Sequence, residues 1–273
     1  MINHTYIPSP PLSNFVALFW YYEGCVMPHA KERLLPTGTT ELVISLSQER
    51  LVTYRGQQPD APLFFRGGVI CGPHSEFFLI DTAQEETVIG VHFKPGGAFP
   101  FFKLPASELH NSHVSLDDLW GSIAADLREQ ILEARTPEAK FQALEQCLLA
   151  QLAKPLAHHP AVAYALNEFH CVPHARTIAE VTDQIGLSAR RFIQVFSEQV
   201  GLTPKLFCRV RRFQEVLQQV GMSKNVEWAD VASSCGYFDQ AHFIRDFQTF
   251  SGFTPTAWLA LRGEHVNHVP LPG

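Results

Sequence analysis

No run of eighteen apolar residues occurs in the 273-residue chain, so no stretch reads as a membrane-spanning helix. The first residues, Met1-Ile2-Asn3-His4-Thr5, lack a basic segment followed by an apolar one; no secretory leader is expected, and the reading is a cytoplasmic protein. Close cysteine pairs are also missing. Cys25, Cys71, Cys147, Cys171, Cys208 and Cys235 are scattered, which predicts free, mostly buried thiols in a reducing compartment. The chain contains no Gly-x-Ser-x-Gly elbow, no Walker loop and no dinucleotide fingerprint. Glu85 and Glu86 are adjacent, so on a strand they face opposite sides and cannot act as a pair. The expectation is a non-enzyme with no cofactor. An excess of basic charge is lacking too, since the net charge is −6.

What the chain does hold is one short pattern written twice between Thr177 and Leu261. Val181, Gly186, Phe192, Phe196, Gly201 and Thr203-Pro204 form the first copy; Val231, Gly236, Phe243, Phe247, Gly252 and Thr254-Pro255 form the second. An offset of about 50 residues is the scale of a repeated supersecondary unit. Each copy reads as helix, glycine-containing turn, second helix, the order of a helix-turn-helix. Gly186 and Gly236 allow a left-handed turn, and Ser188 and Asp239 follow as N-caps of the second helices. Phenylalanines spaced i,i+4 put one face of each second helix into the core. The opposite faces then carry Arg190, Arg191 and Gln194 in the first copy, and Gln240, His242 and Arg245 in the second. Arg and Gln are among the side chains that pair bidentately with base edges in the major groove. Charge by region fits this reading. Before Pro160 there are 11 basic and 17 acidic residues, and from Pro160 to Arg262 there are 10 and 9. Arg190, Arg191, Arg209, Arg211 and Arg212 fall close together and are the expected phosphate-facing cluster.

Residues from about 160 to 262 resemble the DNA-binding domain of AraC/XylS-family transcription regulators. The resemblance is carried by Gly186-Leu187-Ser188-Ala189-Arg190, Phe196, Gly201-Leu202-Thr203-Pro204, Arg209, Arg212, Val231-Ala232, Gly236-Tyr237, Phe243, Phe247 and Gly252-Phe253-Thr254-Pro255. It implies seven helices forming two helix-turn-helix units, joined by a long helix for which Lys205 to Val220 fits. It further implies that both recognition helices enter successive major-groove segments of double-stranded DNA. Arg190 and Gln194 are then the base readers of the first unit, and Gln240 and Arg245 those of the second. The sequence departs from the family pattern at Gln194, where many members have Arg, and at Thr182, where a small Ala usually packs.

Ahead of that region, residues 1–153 read as a β-rich sensor or oligomerisation domain with terminal helices. Strands are expected over Phe15 to Tyr22, Glu41 to Ser47, Leu51 to Tyr54, Phe77 to Ile80 and Thr87 to Phe93, punctuated by Gly67-Gly68, Gly72-Pro73 and Pro95-Gly96-Gly97. The fold class is α+β in two domains. The first is a cupin-like barrel with flanking helices, similar to a divergent sensor domain of the same family, and the second is all-α. Metal-binding cupins place two histidines one residue apart; no His-x-His occurs here, so no metal is expected. Dense phenylalanines (Phe64, Phe65, Phe77, Phe78, Phe93, Phe99, Phe101, Phe102) read mainly as core. A barrel interior can also hold an effector cavity, for which Trp20, Tyr22, Phe78 and His92 are the candidates.

Leu119, Ile123, Leu127 and Ile131 form an apolar helical stripe, and Phe141, Leu144, Leu148 and Leu152 form another after the break at Thr136-Pro137. These stripes serve core packing, homodimerisation or both. Residues 154–160 read as a linker, 161–262 as the DNA-binding domain, and 263–273 as a loose tail. RNA polymerase is a further candidate partner. Two alternatives stay open: a constitutive DNA binder whose first domain only oligomerises, and a metabolite-acting β-domain enzyme fused to a DNA-binding domain.

Overall fold

The computed structural model of the chain describes residues 2–24, 29–47, 50–56, 58–82, 87–171, 177–221, 223, 225–263 and 265–271. Cys25, Glu85 and Glu86 lie outside them. Among the described residues, ten strands build the N-terminal region: β1 (Ile2–Tyr6), β2 (Val16–Glu23), β3 (Lys31–Leu34), β4 (Glu41–Ser45), β5 (Arg50–Arg55), β6 (Gln58–Arg66), β7 (Gly68–Cys71), β8 (Phe78–Asp81), β9 (Thr87–Phe93) and β10 (His113–Ser115). They form two antiparallel sheets. One runs β1-β2-β9-β4-β7-β10; the other contains β3-β8-β5-β6.

Alternation along β2 divides its aromatic run between the two faces of the first sheet. Phe19 and Tyr21 join Leu42, Ile44, Ile89, Val91 and Phe93 in the main core of this half. That core is closed by α1 (Leu116–Trp120), α2 (Ser122–Glu133) and α3 (Pro137–Ala150), so the largest apolar layer lies between the sheet and the helices. The layer between the two sheets is smaller and includes Phe65, Val69 and Cys71. Trp20 points the other way from Phe19 and lies over Gly90, its cross-strand partner, where any Cβ would collide with the indole. Phe64, expected with the core, lies on an exposed face of β6.

The first helical stripe has a different phase from the one the sequence predicts. Gly121, at φ 62°, breaks the run between α1 and α2. The buried positions are then Ala124, Leu127 and Ile131, and Ile123 turns outward. In α3 Phe141, Leu144 and Leu148 are buried, whereas Leu152 lies past the helix end and is exposed.

Seven helices follow among the described residues: α4 (Pro160–Cys171), α5 (Ile178–Ile185), α6 (Ala189–Val200), α7 (Pro204–Val220), α8 (Trp228–Ser234), α9 (Gln240–Ser251) and α10 (Pro255–Leu261). The segment before α4 is pinned to both halves. Ala153 N–H donates to Pro100 O (2.9 Å), Lys154 Nζ donates to Phe102 O (3.0 Å), and His159 N–H donates to Gln199 Oε1 (3.0 Å).

The expectation of a loose tail is wrong. His268–Pro270 forms a strand, β11, which pairs antiparallel with β3 and completes the second sheet as β11-β3-β8-β5-β6. Val269 is fully buried in the helical core, which also takes in Leu35 from the N-terminal region. Gln214 on α7 donates through Nε2 to Pro36 O and to Asn267 Oδ1, both at 2.9 Å. The buried Glu32 carboxylate accepts from His29 Nε2 (2.6 Å) and His268 Nδ1 (2.8 Å). Burial alone would raise its pKa, but the hydrogen bonds and charges of His268 and His29 hold it below the ordinary carboxylate value. Among the described residues, no helix is long and apolar enough to cross a membrane.

Candidate DNA-binding surface

Local chemistry fixes both turn-and-helix units. In the first, Thr177 and Glu180 form a capping box at the start of α5, and Gly186 ends that helix in the left-handed region. Ser188 caps α6 by accepting from Arg191 N–H (3.3 Å). Thr182, on α5, places its hydroxyl on Ile178 O (2.7 Å), which satisfies it at a half-buried position. In the second unit Asp239 caps α9 by accepting from His242 N–H (2.6 Å). Thr203 and Thr254 cap α7 and α10, each with proline at the first helical position.

The inner faces are apolar and closed. Phe192, Val195 and Phe196 of α6, and Phe243, Phe247 and Phe250 of α9, are buried in one continuous helical core. Phe213, midway along α7, contacts Phe247 and Phe250 at 5.2 and 5.3 Å between ring centroids. Phe207, near the start of α7, meets Phe196 of α6 at 5.7 Å, so the 17-residue α7 joins the two units through packed rings.

The outer faces hold most of the expected readers. Ser188, Arg190, Arg191 and Gln194 are exposed on the first unit, and Asp239, Gln240 and Arg245 on the second. Gln194 Nε2 donates to Glu198 Oε1 (2.9 Å), and Arg245 Nε donates to Ala241 O (3.2 Å), so both carry an intrahelical contact. His242 is set further back. Its ring packs edge-on against Tyr237 at 5.3 Å, and Nε2 lies 3.7 Å from Asp246 Oδ2.

The basic cluster expected from sequence is divided by the fold. Arg209 on α7 is committed inward: Nη2 donates to Asp246 Oδ1 at 2.7 Å, and Nε lies 3.4 Å from Oδ2. Asp246 is buried, so this ion pair ties α7 to α9 and removes Arg209 from the phosphate-facing group. Arg212 lies over the Tyr237 ring, 5.0 Å from its centroid. Burial drives the Tyr237 hydroxyl well above its ordinary pKa, so it stays neutral in the core. Two residues outside the expected set join this surface: Phe238, 93% exposed immediately before the Asp239 cap, and Ile193, exposed on α6 between Arg191 and Gln194. Exposed apolar residues beside the expected base readers have the chemistry for thymine methyl contact; their only sequence signal is that they fall off the buried i,i+4 face.

Residues 181–260 match the family described as "Helix-turn-helix domain". This region is an AraC-type helix-turn-helix domain. Ahead of the AraC-type domain, residues 4–115 match a domain of unknown function, DUF6597. A comparison with curated proteins finds no match. Among solved structures, the chain is similar to ToxT from Vibrio cholerae at 1.65 Å resolution, with 7% identity, 94% of this chain and 98% of that chain covered, and a TM-score of 0.48. ToxT from Vibrio cholerae bound to (E)-4-(8-methylnaphthalen-1-yl)but-3-enoic acid gives the same identity, coverage and score. Unsaturated fatty acid bound ToxT from that organism is 9% identical, with 88% of this chain and 93% of that chain covered, at a TM-score of 0.45.

The four expected effector residues do not share one place. Trp20, Tyr22 and His92 gather on the first sheet: the Trp20 ring lies 5.2 Å from Tyr22 and 5.9 Å from His92, and His92 Nδ1 is 3.2 Å from Glu41 Oε1. Phe78 belongs to the second sheet and contacts His74 and His113 instead. Among the described residues, no three His, Cys, Asp or Glu side chains gather as a metal set.

Proposed function

We propose that the chain is a sequence-specific DNA-binding transcription regulator that works in the cytoplasm as a homodimer, contacts RNA polymerase at its promoters, and responds to a small molecule through residues 1–153. The division into that domain, a junction at 154–160 and a DNA-binding domain at 161–262 belongs to the same reading. It is supported chiefly by one observation. Two helices of equal length, α6 and α9, each have a polar N-cap whose side chain accepts from the backbone, the same i,i+4 buried phenylalanine pair and an outward arginine face, within an AraC-type domain. Arg190, Gln194, Gln240 and Arg245 specify bases, while Arg191 and the capped helix N-termini hold phosphates. Two readers of this kind fit half-sites about 34 Å apart, one turn of DNA.

The test is selection of bound sequences from a random DNA pool by the full chain at moderate salt. The expected result is two short base blocks about one helical turn apart. Arg190→Ala and Arg245→Ala each weaken the selected site by about 1–3 kcal/mol and relax preference within one block only. An enriched motif that both variants bind as selectively as the parent chain would refute the assigned readers.

A further inference from the structure

A cleft of about 380 Å³ opens where the β5–β6 turn, the β7–β8 loop and the start of β10 meet. That volume suits a small organic ligand. Three rings form its floor in mutual contact. Phe78 lies 4.5 Å edge-on from His113 and 4.6 Å from His74, and the two imidazoles are 4.7 Å apart. His74 Nδ1 is 2.6 Å from Gly72 O; a carbonyl oxygen can only accept, so Nδ1 carries the proton and Nε2 is an acceptor. Among the described residues His113 Nε2 is buried with no hydrogen-bond partner, a state that is costly unless something else supplies one. Burial holds both imidazoles neutral, with the His74 pKa lowered to about 4 and that of His113 well below its ordinary value. At the rim stand Arg55 and Glu76, both exposed, and neither forms an ion pair among the described residues.

One wall of the cleft is Phe77, and it reaches the DNA-binding half. Its Cε2–Cδ2 edge lies against Gly56, where an added Cβ would be 2.6 and 2.7 Å from those atoms. Its opposite edge lies against Gly252, where a Cβ would be 2.6 Å from Cε1 and 3.0 Å from Cζ. Gly252 is the left-handed C-cap of α9, at φ 71°. Arg33 completes the clamp. Its guanidinium lies 4.1 Å from the Phe77 centroid and 4.0 Å from that of Phe253, and Nη1 donates to Ser251 O at 2.9 Å. The ring therefore fills the space between the cleft and the end of the second recognition helix with no slack on either side.

We propose that this cleft binds a small aromatic zwitterion of the amino-acid class, and that Phe77 and Arg33 pass its occupancy to α9. Charges of both signs at the rim match a carboxylate on Arg55 and an ammonium on Glu76. The ring cluster offers a stacking and edge-on surface. This rests on the regulator reading above only for its second half, the coupling to DNA.

The test uses the full chain in isothermal titration with L-phenylalanine, L-tyrosine and L-tryptophan. Comparison ligands each lack one feature: 3-phenylpropionate the ammonium, 2-phenylethylamine the carboxylate, and L-leucine the ring. At least one aromatic amino acid is expected to bind, each comparison ligand about tenfold or more weakly, and Arg55→Gln to lose a similar factor. DNA affinity for the selected site is then measured with and without the amino acid, in the parent chain and in Arg33→Lys, which lies outside the cleft lining and keeps its charge but loses the planar stack. The parent is expected to change affinity about 5-fold or more, and Arg33→Lys to lose that change while still binding the amino acid. Phe253→Leu, which removes the ring on the far side of the guanidinium, is a second variant should Arg33→Lys not fold. No binding by any aromatic amino acid, or equal binding by Arg55→Gln, overturns the site. Binding without any effect on DNA affinity overturns the coupling. An enriched DNA motif with no amino-acid binding refutes this inference alone, whereas amino-acid binding with no motif refutes the regulator reading and leaves the site.

Discussion

Replacing Arg209 by Met separates two roles that the sequence alone confuses. Were Arg209 a phosphate contact, its loss would weaken DNA binding and leave the fold intact. The structure instead pairs it with Asp246, whose side chain is only 6% exposed, through one bond at 2.7 Å and a second approach at 3.4 Å. Removing the cation leaves a buried carboxylate whose nearest alternative, His242 Nε2, is 3.7 Å away and beyond hydrogen-bonding range. Breaking a buried pair from one side costs about 3–5 kcal/mol. A methionine retains most of the stem packing beside Phe250, so the loss is electrostatic. Urea unfolding of the full chain, followed by far-UV circular dichroism and Trp fluorescence, should show the midpoint fall accordingly. The double variant Arg209→Met with Asp246→Leu removes both charges and should recover most of the loss, since apolar replacement of a buried pair is often neutral. The reasoning fails if Arg209→Met keeps the parent's stability, or if the double variant is less stable than the sum of the two single losses.

Two further outcomes follow from the same contacts. Truncation after Gly263 removes β11, exposes the sites that Val269 and Leu271 cover, and strips one partner each from Glu32 and Gln214. A loss of about 3–5 kcal/mol in urea unfolding is expected, whereas a loose tail would cost nothing measurable. Acidification is the other. His74, with its pKa lowered from 6.5 to about 4, binds its proton more readily unfolded than folded, so its contribution to stability is complete above pH 6.5 and is lost as pH falls toward 4. The loss is roughly 3 kcal/mol over that window. His74→Asn keeps a donor for Gly72 O and should flatten the stability-versus-pH curve by about one proton between those pH values; an unchanged slope would exclude His74 as its source.

The double helical unit was legible because its signals are local. N-caps, left-handed glycines, Thr-Pro starts and i,i+4 phenylalanines each act within one or two turns of helix. Elements that depend on distant partners were not. β6 carries Pro59 and Pro62, which lower its strand signal, yet it lies at a sheet edge where missing donors cost little. β11 has one inward residue, Val269, and pairs with a strand more than 230 residues earlier, as the His268–Glu32 separation of 236 shows. No periodicity in three residues could reveal that. The Arg209–Asp246 pair was hidden for the same reason: each residue looks solvent-facing on its own helix until α7 and α9 are packed together.

Besides the contacts of α7 and β11, the β-rich half meets the C-terminal ends of α6 and α9 and leaves their outward N-terminal residues exposed. At α6, Gly201 closes the helix against Pro73, and Val200 lies beside the position a Cβ on Gly96 would take. At α9, Ser251 and Gly252 meet Arg33 and Phe77. Both helices are thus gripped at their C-terminal ends by the β-rich domain, while Arg190 and Gln240 stand exposed near the N-terminal ends. A domain that masked DNA binding would cover those outward residues, and this one does not. On the regulator reading proposed above, the β-rich domain sets the angle and spacing of one helix relative to the other, since each end is held by a different segment of it. A change within that domain would therefore alter preference for the distance between two base blocks before it altered preference within either block. Selection on DNA pools with the block spacing varied one base pair at a time can detect that difference.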